Sequence, residues 1–260
     1  MKIVICSLGG TVGKTTITAH LLCPRLPKAR VSAVDTANMT VKDFGIDCDI
    51  YPGEQFSKLY KELIRQPHAI IDVGGSKEGK EFLEGMDWLQ GHDEIDAFII
   101  PSVPDDKSQK ASYKTIELLL AQGVEKEKIK VIFNRVAKNT EEEFDYLLGA
   151  LTVTGIPYSL DASVFNHDVY RILSENQIGL AHLLKDKANY KALFREADPK
   201  TMDEQELSRL GELAVAQKFA PQVNKNLDKV FSVLFPELTA SAPEAKAEAK
   251  AESKRVSEKA

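Results

Sequence analysis

Between Ser7 and Thr16 the chain reads Ser-Leu-Gly-Gly-Thr-Val-Gly-Lys-Thr-Thr. Small residues in such a run let successive backbone N–H groups close around anionic oxygens. A helix starting near Lys14 adds its positive end. Lys14 then supplies a cation for the outer phosphates of a nucleoside triphosphate, and the Thr15 hydroxyl supplies a ligand for Mg²⁺. The residues expected at the phosphates are Gly10, Thr11, Val12, Gly13, Lys14, Thr15 and Thr16. The run departs from the G-x-x-x-x-G-K-[ST] pattern at Leu8, where the pattern has glycine. A plain glycine turn before a helix is the bland alternative, but such a turn has no need of Lys-Thr-Thr.

Triphosphate chemistry also needs carboxylates for the metal and its water. Asp72 ends the apolar run Ala69-Ile70-Ile71 and precedes Gly74-Gly75, the Walker B arrangement; with Thr15 it is the expected metal ligand. Asp35 ends an earlier apolar run and is placed to orient an attacking water. Lys14, Asp35 and Asp72 are thus the catalytic candidates. The alternative for both aspartates is an ordinary strand-to-loop position. Asn134 and Arg135 follow the run Lys130-Val131-Ile132-Phe133. A carboxamide there has the paired donor and acceptor that read a purine edge, although asparagine is also common in turns.

The elements that must position these residues alternate. Strands are expected over 2–6, 31–35, up to Asp72, from Asp96, from Lys128 to about Asn134, and within 155–159. Helices are expected after Lys14 until Pro24 and Pro27, over 53–65, 78–90, 106–122 and 140–151. Residues 36–52 read as a loop. Apolar strands alternating with helices predict an α/β, doubly wound, mostly parallel sheet covered on both faces. Residues 164–195 and 202–234 read as mostly helical. From Thr239 to Ala260 the chain is Ala/Glu/Lys-rich with almost no apolar bulk, so 1–238 is the expected folded domain and 239–260 a disordered or partly helical tail.

Composition narrows the function classes. A net charge of -5 argues against a generic nucleic-acid binder. The local basic run Lys185, Lys187, Lys191, Arg195, with Tyr190, is the one candidate for direct DNA contact, and most such runs are solvated faces. No stretch reaches the ~20 apolar residues of a membrane helix, so no membrane partner is expected. The opening MKIVIC is too short for a signal peptide, which makes the cytoplasm the expected address. Three cysteines at unrelated spacings and five histidines without metal spacing give no disulfide framework, zinc site or iron–sulfur site.

Taken together, the loop with Gly10, Lys14 and Thr15, then Asp35, Asp72 and Asn134-Arg135, resembles the ParA/MinD group of P-loop ATPases over residues 1–180. Within it, the stretch from Gly9 to Thr36, the run Ile70–Ser76 and the run Phe98–Gln109 are similar to StbB-type plasmid stability proteins. The resemblance implies ATP and Mg²⁺ as cofactors, slow hydrolysis, and a role in plasmid stability, partition or conjugative transfer beside a plasmid-encoded DNA-binding partner. It also implies a homodimer. ParA and MinD proteins, however, carry a signature lysine that reaches the partner's nucleotide, and the aligned position here is Gly9. ATP-driven self-association is therefore expected to be weaker, with Lys77 and Lys107 as possible replacements. Two other readings stand beside the ATPase: a nucleotide-dependent binding switch with little turnover, built on residues 36–52 and Gly74-Gly75, and a small-molecule kinase or ligase on the same fold.

Overall fold

A computed structural model describes residues 1–35 and 39–240. Seven strands form one sheet: β1 Lys2–Ile5, β2 Arg30–Val34, β3 Asp49–Tyr51, β4 Ala69–Val73, β5 Ala97–Ser102, β6 Ile129–Val136 and β7 Ser163–Phe165, in the order β3-β2-β4-β1-β5-β6-β7. Every pairing is parallel. The helices are α1 Lys14–Ile17, α2 Cys23–Arg25, α3 Phe56–Arg65, α4 Ser76–Trp88, α5 Asp106–Ala121, α6 Thr140–Glu143, α7 Asp145–Thr154, α8 Asp168–Glu175, α9 Leu180–Lys185, α10 Tyr190–Glu196, α11 Glu204–Leu234 and α12 Pro236–Ala240.

Parallel strands buried on both faces need apolar side chains at every position, and the period of two sorts them into layers. Val4 and Cys6 face one core with Phe82, Met86, Leu119 and Phe144 from α4, α5 and the α6–α7 junction. Ile3 and Ile5 face the other, with Leu21, Leu22, Val169, Leu180 and Leu227. The strand order reverses around β1, between β4 and β5, so a crevice opens at the carboxyl end of β1, the usual ligand position in such sheets.

Four local expectations change. The helix after Lys14 ends at Arg25, between Pro24 and Pro27, but its middle is not α-helical: it runs α1, a π-helical segment Thr18–Leu22, then α2. Pro24 has no N–H for the His20 carbonyl; Arg25 Nη1 donates to the His20 and Leu21 carbonyls instead, at 3.0 and 3.1 Å. Within 36–52, a 3₁₀ turn Val41–Phe44 capped reciprocally by Thr40 and Asp43 leads to β3; residues 36–38 lie outside the described residues. The strand expected at 155–159 is irregular, because Gly155 closes α7 at a left-handed φ of 67°. The strand that pairs with β6 is β7, which also interrupts the expected helical stretch 164–195. The expected tail begins inside α12, and residues 241–260 lie outside the described residues.

Candidate functional site

The loop between β1 and α1 brings the first candidates together. Gly13 caps α1 at φ 88°, a left-handed conformation glycine adopts without steric cost, and Thr11 lies at φ 56°. A Cβ on Gly13 would stand 2.4 Å from Asn134 Nδ2, so glycine is needed there on both counts. Lys14 is buried and its ammonium donates to the Gly9 carbonyl at 3.0 Å. Burial pushes its pKa down, against Asp72, Cys6, Asp35 and Glu78, which pull it up.

The two aspartates come from adjacent strands. Asp72 on β4 is in register with Ile5 of β1 and Ala33 of β2, beneath the loop. It is fully buried, and burial raises its pKa to about 6, opposed by the hydroxyls of Thr15 and Thr18 and by Lys14. Even so, Asp72 Oδ1 and Thr18 Oγ1 are buried without a hydrogen-bond partner. Asp35 follows β2 and packs so closely on Gly74 that a Cβ there would sit 2.0 Å from Asp35 Oδ2. Gly74 donates its N–H to the Val34 carbonyl at 2.9 Å, tying the two strand ends together.

Asn134 takes a part the sequence reading did not foresee. Its Nδ2 donates to the Val12 carbonyl at 2.8 Å, and its Oδ1 accepts the Arg135 N–H at 2.9 Å. The carboxamide braces the phosphate loop from β6, which leaves only one N–H and one lone pair for the purine edge it was expected to read.

Two connected hollows meet here. One, about 410 Å³, is lined by Gly10 to Thr16, Asp35, Gly74, Gly75 and Arg135. The other, about 510 Å³, runs from Gly13 and Thr16 past Asn134 and Arg135 to Asn166, His167, Asp168 and Tyr170. Gly13, Thr16, Arg135 and Ser174 border both. The first fits a phosphate chain, and the second is of the size small-ligand sites occupy. Asn166, His167 and Asp168 were missed because they follow a three-residue strand that no sequence period announces.

The site suits Mg²⁺. The residues present, Thr15, Asp72 and Asp35, offer hard oxygens that fit such a cation, and an orphaned carboxylate oxygen lies beneath the loop. Among the described residues no cluster of three or more His, Cys, Asp or Glu forms a cation cage. Mg²⁺ held largely through phosphates and water needs none. Cys6 is buried in the core and His20 is buried against Phe44, where burial lowers its pKa to about 4. Among the described residues no helix is long and apolar enough to cross a membrane.

The comparisons agree with this geometry. Residues 3–163 match the family model described as the CobQ/CobB/MinD/ParA nucleotide binding domain. The fold is similar to that of the MinD cell division protein of Aquifex aeolicus, at 17% identity and a TM-score of 0.50, covering 76% of this chain and 98% of that one. It is also similar to apo McdA from Cyanothece, at 16% identity and a TM-score of 0.51, covering 85% of this chain and 98% of that one. Comparison with curated protein sequences gave no match. At such identities the solved structures speak for the fold, whereas the family model spans more than half of the sequence: the chain belongs to the CobQ/CobB/MinD/ParA family of nucleotide-binding domains.

Proposed function

We propose that this protein binds and slowly hydrolyses Mg-ATP, and that it serves plasmid stability, partition or transfer together with a DNA-binding partner. The observation that carries the nucleotide part is the convergence of the Gly10–Thr16 loop, buried Lys14 and Asp35 around one crevice, with Asp72 from the neighbouring strand buried beneath the loop near Lys14. The loop's N–H groups and Lys14 hold the phosphate oxygens. Thr15 and Asp72 hold Mg²⁺, which neutralises phosphate charge when bound. Asp35, fixed against Gly74, accepts a hydrogen bond from the attacking water and sets its line of approach. The plasmid role rests on the likeness of the Gly9–Thr36 stretch to StbB-type proteins.

The test is calorimetric titration with Mg-ATP, followed by turnover with and without plasmid DNA and the protein encoded beside this one. Wild type is expected to bind, Lys14→Ala to lose binding with its fold intact, and Asp35→Ala to bind yet not turn over. Unchanged affinity in Lys14→Ala would overturn the site. Turnover in Asp35→Ala at the wild-type rate would reduce Asp35 to a turn residue.

The switch reading is favoured by one contact. Gly74, which borders the phosphate crevice, is bonded to β2 just ahead of Asp35, so a bound γ-phosphate would act on both segments at once. Equal partner binding with ATP, ADP and no nucleotide would exclude it.

A further inference from the structure

The carboxyl end of β6 is distorted at one residue. Arg135 sits at a left-handed φ of 58°, which side chains other than glycine disfavour. The register of β6 on β7 slips at the same place, between Asn134 and Val136. A bulge of this kind bends a strand and re-aims a side chain, and bulges gather beside functional sites. Asn134 secures the distortion from both sides, through the Arg135 N–H and the Val12 carbonyl. The phosphate loop and the bulge are therefore one hydrogen-bonded unit.

The re-aimed side chain is exposed and borders both hollows. Among the described residues no carboxylate pairs with its guanidinium, and Arg135 bonds to Asn134 through its backbone N–H. Lys14 and Arg135 are the two cations lining the phosphate hollow. Lys14 is already held by the Gly9 carbonyl and faces two buried aspartates. A nucleoside di- or triphosphate brings several further negative charges into this crevice. A planar guanidinium bonds two phosphate oxygens at once, and it stays charged however crowded the site.

We infer that Arg135 is a phosphate-binding residue, set by the β6 bulge to clamp the phosphate chain of the nucleotide held by its own loop. The inference rests on the nucleotide-binding reading above and assigns Arg135 to the phosphates rather than to the base.

A ligand series separates the two. Adenosine, AMP, ADP and ATP, with Mg²⁺, are titrated into wild type, Arg135→Lys, Arg135→Gln and Arg135→Gly. Glycine suits the left-handed backbone, so that variant keeps the bulge while removing the side chain. Arg135→Gln and Arg135→Gly are expected to weaken ADP and ATP by roughly tenfold or more and to leave adenosine unchanged, with Arg135→Lys recovering part of the loss. Equal losses for adenosine and ATP would place Arg135 at the base and overturn the inference. Wild-type affinities throughout would make it a surface residue, overturning it while leaving the nucleotide site standing. A wild-type protein that binds none of the four ligands would bring down the nucleotide reading and this inference together.

Discussion

Asp72 is a carboxylate placed where a carboxylate is costly. Burial lifts its pKa from 3.8 to about 6, and its Oδ1 has no hydrogen-bond partner. A raised carboxyl pKa means that the ionised form is less comfortable in the fold than in the unfolded chain. The stabilising contribution of the neutral form is fully present below pH 3.8 and is lost as pH rises through 6. Asp72→Asn keeps the shape without the charge. In the absence of nucleotide it is expected to be more stable than wild type by about 1–3 kcal/mol at pH 8, with the gain shrinking toward pH 4. Mg-ATP should stabilise wild type and add little to the variant. Urea unfolding at both pH values, with and without Mg-ATP, reads all four quantities. A variant no more stable at pH 8, or one stabilised equally by Mg-ATP, would refute this account. That Asp72, Asp35 and Lys14 come together was legible because each sits where an apolar run meets small residues. The bracing by Asn134 was not, because a carboxamide's partners depend on which strand end lies opposite, and a sequence does not state that.

At the level of elements, the helix that follows the phosphate loop is held by Arg25, a side chain that no motif singles out. The π-helical segment Thr18–Leu22 and Pro24 leave carbonyls that Arg25 satisfies, while its other nitrogen donates to Asp228 at 2.7 Å and to Asn224 at 3.0 Å on α11. One guanidinium thus joins the nucleotide-binding helix to the C-terminal helix. The ion pair with half-exposed Asp228 contributes little by itself. The carbonyls matter more, because losing their donor leaves partly buried acceptors unmet. Arg25→Met is therefore expected to cost about 1–3 kcal/mol and Asp228→Asn less than about 1 kcal/mol. Thermal unfolding of the two variants side by side decides it, and equal losses would mean that the ion pair, not the carbonyls, carries the effect. The sequence reading ended this helix at its prolines, and it does end at Arg25, between them; what could not be read was that Arg25 itself meets the carbonyl that Pro24, lacking an N–H, leaves open. β3 and β7 were illegible for a different reason. Each has three residues, too few to show a period of two, and each is specified by the strand beside it.

For the whole molecule, the alternation of apolar strands and helices was enough to predict the layered parallel sheet, because both faces of every inner strand must be covered. How the sheet ends was not predictable. At the β7 edge, α11 supplies the missing neighbour: Asn226 Nδ2 donates to the Ser163 carbonyl at 2.9 Å and its Oδ1 accepts the Phe165 N–H at 3.2 Å. That edge is thereby partly covered against a second copy, while β3 forms the sheet's other edge; the resemblance to ParA and MinD proteins puts self-association on the nucleotide face. There Gly9 stands where ParA and MinD proteins carry the lysine that reaches across to the partner. A Cβ at Gly9 would lie 3.1 Å from Val12 Cγ1 and 3.3 Å from Ser7 Oγ, so a side chain fits after shifts of a few tenths of an ångström. Wild type is accordingly expected to sediment at the same rate with ADP and with a non-hydrolysable ATP analogue at micromolar concentration. Gly9→Lys is expected to sediment faster with the analogue alone, because the added cation meets the partner's phosphates only when the outer phosphate is present. Analytical ultracentrifugation of both proteins in both nucleotides gives the comparison. A wild-type dimer that forms tightly with the analogue would show that another cation already spans the interface, and Lys77, exposed on α4 and loosely paired with Glu81 at 3.6 Å, would be the first to replace by alanine. A Gly9→Lys protein that stays monomeric while binding the analogue normally would mean that the two nucleotide faces do not meet, and a dimer in which a lysine reaches the partner's nucleotide would then not apply to this chain.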